Sequence, residues 1–352
     1  MNRFFLDTEN MSDDLISLNL DENIIRIAGA KNDNGKLDIE LLVAQSGVPS
    51  FFESETKKVF DESLSSLKKI ISLYRLSKKR FNIVIPDGFT YSQIVHMPRL
   101  KEKELLSAIK YQADQFIPMP IEETSLDLEI LEDNKNSENI LVLLVAAPQN
   151  LVERVQNIAE QSGIYPESIE NELSATGKFL ENFYSPQIQT GSTIFINIGY
   201  SYTSFYYFDH KKRLIIDNHT FPAGLSVFLR EAQVDINVDS EKAKNLLKTV
   251  GFAPGSSLDL SQFLQPAIDA LSSELQKFIT ALMAKHKASS PSHIYVYNLA
   301  TDIKDIEKQI QKTVAIPTGI FNPLPITKRT HAVEPYVNNL PAFINVIGGC
   351  LK

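Results

Sequence analysis

Residues 96–124 read H-M-P-R-L-K-E-K-E-L-L-S-A-I-K-Y-Q-A-D-Q-F-I-P-M-P-I-E-E-T, and the rest of the chain can be interpreted outward from them. Apolar residues recur there at three- and four-residue spacing, which predicts one amphipathic helix packed on a sheet. Pro98 precedes this helix. Pro118 and Pro120 prevent its continuation, because proline lacks the N–H donor and clashes with the preceding turn. The predicted apolar face consists of Leu105, Leu106, Ile109, Ala113, Phe116 and Ile117.

Composition limits the kind of protein. A chain of 352 residues can bury a large core, and its length suits two domains or one bilobed domain. The net charge of -8 argues against nucleic acid as a partner, because such surfaces need concentrated Lys and Arg. The single cysteine, Cys350, forms no internal disulfide and no thiolate cluster, so a reducing cytoplasm is predicted.

Contact with a membrane is predicted to be indirect. The apolar run near the N-terminus is much too short for a signal peptide. The longest apolar run, residues 140–148, is less than half of the roughly 20 residues that a membrane-spanning helix needs. It is interpreted as a strand buried on both faces.

Two parts of the chain share one pattern of strands. Residues 15–43 predict a three-stranded antiparallel meander, with Asn34-Gly35 supplying the positive φ angles of a tight turn. Residues 194–220 repeat the three strands, which indicates two duplicated lobes. Between the copies, residues 89–163 predict strand, helix, strand, strand and helix, which is an inserted α+β unit.

Further elements follow from apolar periodicity and turn residues. A strand is predicted at 293–299. Ser240 is predicted to cap the helix at 239–250. The other helices are predicted at 55–75, 150–163, 168–182, 224–233, 239–250, 260–287, 304–313 and 340–351.

Catalytic and metal-binding motifs are missing from the sequence. The six histidines are scattered, and none has the spacing that places two ligands on one helix face. The sequence also contains none of the common glycine-rich phosphate loops or nucleophile elbows. We therefore predict neither catalytic residues nor a metal site.

The amino-acid sequence of the opening stretch is similar to a signature motif of PilM, the actin-like protein family of type IV pilus assembly. The residues that carry the resemblance are M-P-R-L-x-x-x-E-L-x-x-A-I-x-x-x-A-x-Q-x-I-P-x-P-I-E-E from Met97 onward. V-L-L-V-A-A-P-Q-N-L-V-E-R-V at 142–155, F-P-A-G at 221–224, the helix at 241–248 and I-G-G-C-L at 347–351 also resemble that family.

This resemblance implies a fold and its subdivision. The fold would be α/β and actin-like (ribonuclease H-like), with two lobes and an SHS2-like α+β subdomain 1C inserted in place of 1B. Lobe 1 would contain subdomain 1A at 13–88 plus 164–190, and subdomain 1C at 89–163. Lobe 2 would contain subdomain 2A at 191–221 plus 291–352, and subdomain 2B at 222–290.

The resemblance also implies where a nucleotide would bind. In actin-like ATPases the first hairpin turn of each lobe reads D-x-G-x-x-[ST] and holds phosphate and magnesium. Here the turns at 19–23 and 197–204 begin with Asn, the first lacks glycine, and Asp21 and Glu22 add charge that would repel phosphate. The turn at 298–302 lacks the glycines expected near adenosine. The vestigial site would consist of Asn19, Asp21, Asn197, Gly199, Ser201, Thr203, Gly224 and Glu274.

The partner implied by the resemblance is the N-terminal cytoplasmic tail of a PilN-like bitopic membrane protein. The tail would occupy a groove between 1A and 1C, at the inner face of the cytoplasmic membrane. Other inner-membrane platform proteins and cytoplasmic pilus ATPases would be further partners. Candidate groove residues are Leu100, Leu105, Ile109, Phe116 and Ile117, although the same side chains would also suit a closed core.

The sequence therefore leaves three functional hypotheses open. The favoured one is a cytoplasmic scaffold of pilus, secretion or competence machinery that has lost or weakened ATPase activity and needs no cofactor. The second is a working ATP-binding or ATP-hydrolysing protein, with ATP and Mg²⁺ as ligands. The third is an FtsA-like, filament-forming division protein.

Overall fold

The computed structural model describes residues 15–48, 50–100, 104, 105, 107, 109, 117–133, 138–185, 191–254, 259–287 and 290–351. These residues form two compact units, each with a central five-stranded sheet. Unit 1 contains the described residues within Met1–Phe183, Ile326–Val337 and Asn345–Lys352. Unit 2 contains those within Tyr184–Pro325 and Asn338–Ile344.

The central sheet of unit 1 consists of β1 (Ile16–Leu20), β2 (Ile24–Asp33), β3 (Lys36–Ser46), β4 (Arg80–Ile85) and β8 (Tyr165–Asn171). Their order in the sheet is β3-β2-β1-β4-β8. Its first three strands are antiparallel, whereas β4 is parallel to β1 and β8 is parallel to β4. Asn34 and Gly35, between β2 and β3, have φ angles of 54° and 81°, which confirms the predicted tight turn.

Helices α1 (Lys57–Leu73) and α2 (Gln149–Ser162) pack against each other, and their apolar side chains share one core with this sheet. Helix α2 ends at Gly163, whose φ of 90° is readily adopted by glycine. The helix predicted at 168–182 is wrong at its start, because residues up to Asn171 form strand β8 along β4. Helix α3 (Glu172–Phe183) then follows.

The inserted sheet has three antiparallel strands in the order β5-β7-β6. These strands are β5 (Tyr91–Pro98), β6 (Thr124–Glu132) and β7 (Asn139–Pro148). Within the stretch 96–124, only Glu104, Leu105, Ser107 and Ile109 of the predicted helix are described, and all four are helical. One face of the sheet is covered by Leu105 and Ile109, in a core with Met97, Ile140, Val142 and Leu144.

A late segment of the chain covers the free edge of β3 in unit 1. Thr327 bridges to Leu37, and the N–H of Lys328 donates to the carbonyl of Leu37 at 2.8 Å. Further along, the N–H of Ala44 donates to the hydroxyl of Tyr336 at 3.1 Å. These bonds explain why Ile326–Val337 belongs to unit 1, although the sequence suggested that 291–352 lies in lobe 2 throughout.

The central sheet of unit 2 consists of β9 (Ser192–Ile198), β10 (Thr203–Asp209), β11 (Leu214–Phe221), β12 (His293–Asn298) and β13 (Thr318–Ile320). Their order in the sheet is β11-β10-β9-β12-β13. Strands β9 to β11 are antiparallel, β12 is parallel to β9, and β13 is parallel to β12, as in unit 1. The predicted duplication is therefore confirmed.

The helices of unit 2 are α4 (Leu225–Ile236), α5 (Ser240–Thr249), α6 (Ser261–His286) and α7 (Ile306–Val314). Helix α5 is capped by the carboxylate of Asp239, which accepts from the N–H of Lys242, and not by Ser240. The predicted closing helix at 340–351 is instead a 3₁₀ turn at Leu340–Phe343 followed by the short helix α8 (Ile344–Gly348). Across the described parts of the chain, no helix is both long enough and apolar enough to cross a membrane.

Candidate functional site

The first predicted nucleotide turn, between β1 and β2, is closed by a buried ion pair. The Nη1 of Arg26 donates to Asp21 Oδ2 at 3.1 Å and to Asn19 Oδ1 at 3.3 Å. Both charged side chains are almost fully buried. Asn19 also donates to the carbonyl of Val84 at 3.2 Å, so its amide is held on both sides.

This ion pair corrects one step of the sequence interpretation. Asp21 was expected to direct an uncompensated negative charge toward phosphate. Its carboxylate instead has Arg26 as a counter-ion and also accepts from the N–H of Glu22 at 2.7 Å. The β1–β2 turn is therefore satisfied by its own polar groups.

The second turn, between β9 and β10 in unit 2, is filled by a tyrosine ring. A Cβ atom on Gly199 would lie 2.3 Å from the Cζ of Tyr202, whose ring is 1% exposed. The N–H of Gly199 donates to the carbonyl of Tyr202 at 2.9 Å, which closes the turn on itself. Gly199 is therefore needed here because an aromatic ring approaches its backbone.

Helix α4 begins directly against this turn. The N–H groups of Leu225 and Ser226 donate to the carbonyls of Gly199 and Tyr200 at 2.9 and 2.8 Å. The hydroxyl of Thr203 donates to the carbonyl of Ala223 at 2.6 Å. N–H groups at a helix start and a hydroxyl in a turn are the donors that commonly bind phosphate, and here they bind protein carbonyls.

The strand ends beside this turn carry amides where an acidic residue would hold magnesium. Asn298 Nδ2 donates to Asn197 Oδ1 at 2.9 Å, and both side chains are buried. The Oδ1 of Asn298 is buried and has no donor among the described residues. Because a neutral amide oxygen compensates a divalent cation less than a carboxylate does, this pair is a weak substitute for the expected acid.

Two further predicted nucleotide residues, Ser201 and Glu274, have different surroundings. Ser201 is half-buried in the β9–β10 turn. Glu274, on α6, is engaged by Lys277 at 2.7 Å and by His219 at 3.6 Å. The hydrogen bond from Lys277 is the main reason why the pKa of the Glu274 carboxyl lies below its usual value, and the charge of His219 contributes. Asn19 and Asp21 in unit 1 and Thr203 in unit 2 are thus already engaged by protein groups.

A different site is open in unit 1. An aromatic cleft of about 460 Å³ lies where the loop before α1, the start of β5, the P-x-P part of the opening stretch and the start of α2 meet. Phe52 stacks on Phe89 with ring centroids 4.6 Å apart. The cleft is lined by Phe52, Glu55, Gly88, Phe89, Thr90, Tyr91, Pro118, Met119, Pro148, Asn150, Leu151 and Arg154.

Polar groups lie at one side of the aromatic cleft. Asn150 Nδ2 donates to Glu55 Oε1 at 2.6 Å, and the guanidinium carbon of Arg154 lies 4.5 Å from the ring centroid of Phe51. Burial lowers the pKa of Arg154, whereas the charge of Glu55 raises it. Burial also raises the pKa of Tyr91. A mostly apolar cleft with a few polar groups is the usual form of a peptide or ligand site.

The predicted groove residues lie largely elsewhere. Leu105 and Ile109 are fully buried in the core of the inserted sheet, and Ile117 is 4% exposed. Leu100 is 41% exposed but does not line the cleft, and Phe116 lies outside the described residues. The P-x-P sequence that ends the opening stretch was the available signal for the cleft, because Pro118 and Met119 form part of its wall.

Two sheets with the same order of three antiparallel and two parallel strands define an actin-like fold. Two similar structures support this assignment. The ethanolamine utilization protein EutJ from Carboxydothermus hydrogenoformans has a TM-score of 0.52 and 8% identity, over 99% of this chain and 94% of its own. MreB 5 of Spiroplasma citri, solved with AMPPNP, has a TM-score of 0.50 and 12% identity, over 95% and 94%.

Within this class, the family of the chain is established by its sequence. The family model described as type IV pilus assembly protein PilM matches residues 18–347. The chain therefore belongs to the PilM family. A solved structure of a PilM–PilN type IV pilus biogenesis complex is also similar, with a TM-score of 0.80 and 17% identity, over 96% of this chain and 97% of that one.

Proposed function

We propose that this protein is a scaffold of type IV pilus assembly that binds the cytoplasmic tail of a PilN-like membrane protein in the aromatic cleft. The observation that carries the proposal is the cleft itself, an open apolar site of about 460 Å³ in a chain of the PilM family. A solved complex of PilM with PilN supports the choice of partner. Binding of the tail would hold the protein at the inner face of the cytoplasmic membrane, beside other platform proteins and the cytoplasmic pilus ATPases.

The shape of the cleft suits an extended peptide. Its walls come from two parts of unit 1, namely the elements around the first sheet and the first strand of the inserted sheet. We assign these parts to subdomains 1A and 1C. Phe52, Phe89 and Met119 offer apolar surface to side chains of the tail, while Asn150 and Glu55 offer polar groups. A tail that buried these aromatic rings would gain most of its affinity there.

Replacing Met119 with aspartate is expected to weaken binding of the tail by about a hundred-fold, because a bound peptide would remove the new carboxylate from water without pairing it. Met119 is half-buried and belongs to no described helix, strand or core cluster, so the fold should persist. The measurement is a calorimetric titration with a synthetic peptide of the cytoplasmic N-terminus of the PilN-family protein from the same organism.

The matched control is Leu73→Asp, which places the same charge on an apolar residue of α1 that is 68% exposed and does not line the cleft. It should bind the peptide like the wild type. Equal binding by wild type and Met119→Asp, or loss of binding by Leu73→Asp alone, would remove the cleft from the proposal.

We further propose that the protein has no ATPase activity of its own. The Tyr202 ring against Gly199 and the Arg26–Asp21 ion pair support this view, since they engage the two turns that would hold phosphate. A titration with ATP and excess Mg²⁺ should show no binding at nucleotide concentrations up to about the millimolar level. Micromolar binding, or release of phosphate that increases with protein concentration, would instead support an active ATPase.

A further inference from the structure

Arg154 presents an unused hydrogen-bond donor at the aromatic cleft. Its Nη2 atom is buried and has no acceptor among the described residues. The side chain lies over the ring of Phe51 and lines the cleft beside Leu151 and Asn150. Buried polar groups without a partner are uncommon, and each one costs about 1–3 kcal/mol.

The acidic residue of the cleft, Glu55, does not satisfy this donor. Glu55 acts on Arg154 through its charge, but the structure places no Glu55 oxygen within hydrogen-bond or ion-pair distance of the guanidinium. One oxygen of that carboxylate, Oε1, accepts from Asn150 at 2.6 Å instead. Arg154 therefore has a neighbouring counter-charge, while its Nη2 hydrogens have no acceptor among the residues that the structure describes.

We propose that Arg154 determines the specificity of the cleft, by donating from Nη2 to a neutral oxygen of the bound peptide. This proposal rests on the proposed function, and it specifies a chemical feature of the tail. The neutral oxygen is a backbone carbonyl or a side-chain carboxamide that the peptide places over the start of α2. Binding of the tail then supplies an acceptor to a donor that has none in the described part of the free protein.

A neutral acceptor fits better than a carboxylate because of Glu55. Glu55 lines the same cleft and already places one negative charge there, so a second carboxylate brought by the peptide would be repelled by it. A carbonyl or carboxamide oxygen adds a hydrogen bond and no charge. Hydrogen bonds from charged donors are also stronger than those between neutral groups.

Arg154→Met tests this role. Methionine keeps an unbranched apolar chain over Phe51 and removes every donor. Binding of the tail peptide should weaken by about ten- to a hundred-fold, as expected for loss of a hydrogen bond from a charged group. The control is Gln156→Met, which makes the same kind of change on α2 at an exposed residue outside the cleft, and it should bind as wild type does.

Two further measurements test this role. The first, thermal unfolding, separates recognition of the peptide from support of the fold, and the second, salt dependence, tests whether the acceptor is neutral. The thermal midpoint of free Arg154→Met should equal or exceed that of the wild type, because the substitution removes an unsatisfied donor. A lower midpoint would instead assign Arg154 to the fold. Peptide affinity of the wild type should change by less than about two-fold between low and high salt, whereas a carboxylate acceptor would make affinity clearly salt-dependent and overturn the neutral acceptor.

The result for Arg154 can be distinguished from the result for the proposed function. If the wild type binds the peptide and Met119→Asp does not, but Arg154→Met binds like the wild type, the cleft remains and the role of Arg154 is wrong. If the wild type does not bind the peptide at all, the proposed function itself fails.

Discussion

Replacing Arg26 with methionine is expected to lower the free energy of unfolding by about 3–5 kcal/mol, the usual cost of removing one partner from a buried ion pair. The reason is the environment of Asp21, which is 5% exposed and receives its charged hydrogen bond from Arg26 at 3.1 Å. Without the guanidinium, this buried carboxyl group would lose its counter-ion and its charged hydrogen-bond donor. Asn19 would also lose a donor at 3.3 Å.

Chemical denaturation followed by circular dichroism measures this cost, and hydrogen exchange of the amides in β1 and β2 localises it to unit 1. The control is the double variant Arg26→Met with Asp21→Asn, which removes both charges and should recover much of the loss. A single variant that costs less than about 1 kcal/mol would contradict the assigned role of the pair.

Gly224→Ala is expected to destabilise unit 2 by about 3 kcal/mol, at the upper end of the range for overpacking. A Cβ atom at this position would lie 2.6 Å from the carbonyl oxygens of Gly199 and Tyr200, and 2.7 Å from that of Tyr202. All three oxygens belong to the backbone of the β9–β10 turn, so none can rotate away as a side chain would. Helix α4 would therefore have to withdraw from the turn and lose the hydrogen bonds of Leu225 and Ser226.

Gly319→Ala is the matched control, because it adds the same atom to a glycine of the same unit. The nearest atoms to its new Cβ would be two ring carbons of Tyr295, at 3.8 and 3.9 Å, which is ordinary van der Waals contact. Its effect on stability should stay within about 1 kcal/mol. The two melting curves are compared by calorimetry, and equal midpoints for both variants would disprove the close packing of α4 on the turn.

These two predictions concern the places where an actin-like ATPase holds phosphate. In unit 1 a protein cation occupies the turn, and in unit 2 a helix start and a tyrosine ring do so. The resulting contacts stabilise each turn without a ligand. They support a scaffold whose fold does not depend on nucleotide.

Much of the architecture could be predicted from local sequence. The positive φ angles of Asn34 and Gly35 follow from a two-residue turn, and the repeated meander follows from strand periodicity. Arg26 was also within reach, since it lies opposite Asn19 in the antiparallel register of β1 and β2. The strand at 165–171 was missed because four of its seven residues are polar and, among the described strands, it pairs with β4 alone, at the edge of the sheet.

The sequence by itself determined the class of fold, its duplication and the loss of acidic residues at both phosphate turns. The tertiary structure alone decided what covers each apolar face: Leu105 and Ile109 are sealed beneath the inserted sheet, whereas Phe52, Phe89, Met119 and Arg154 meet at an open cleft. Periodicity shows that a face is apolar, because it depends on neighbours three or four residues away. The partner of that face comes from distant parts of the chain, so only the folded structure identifies it.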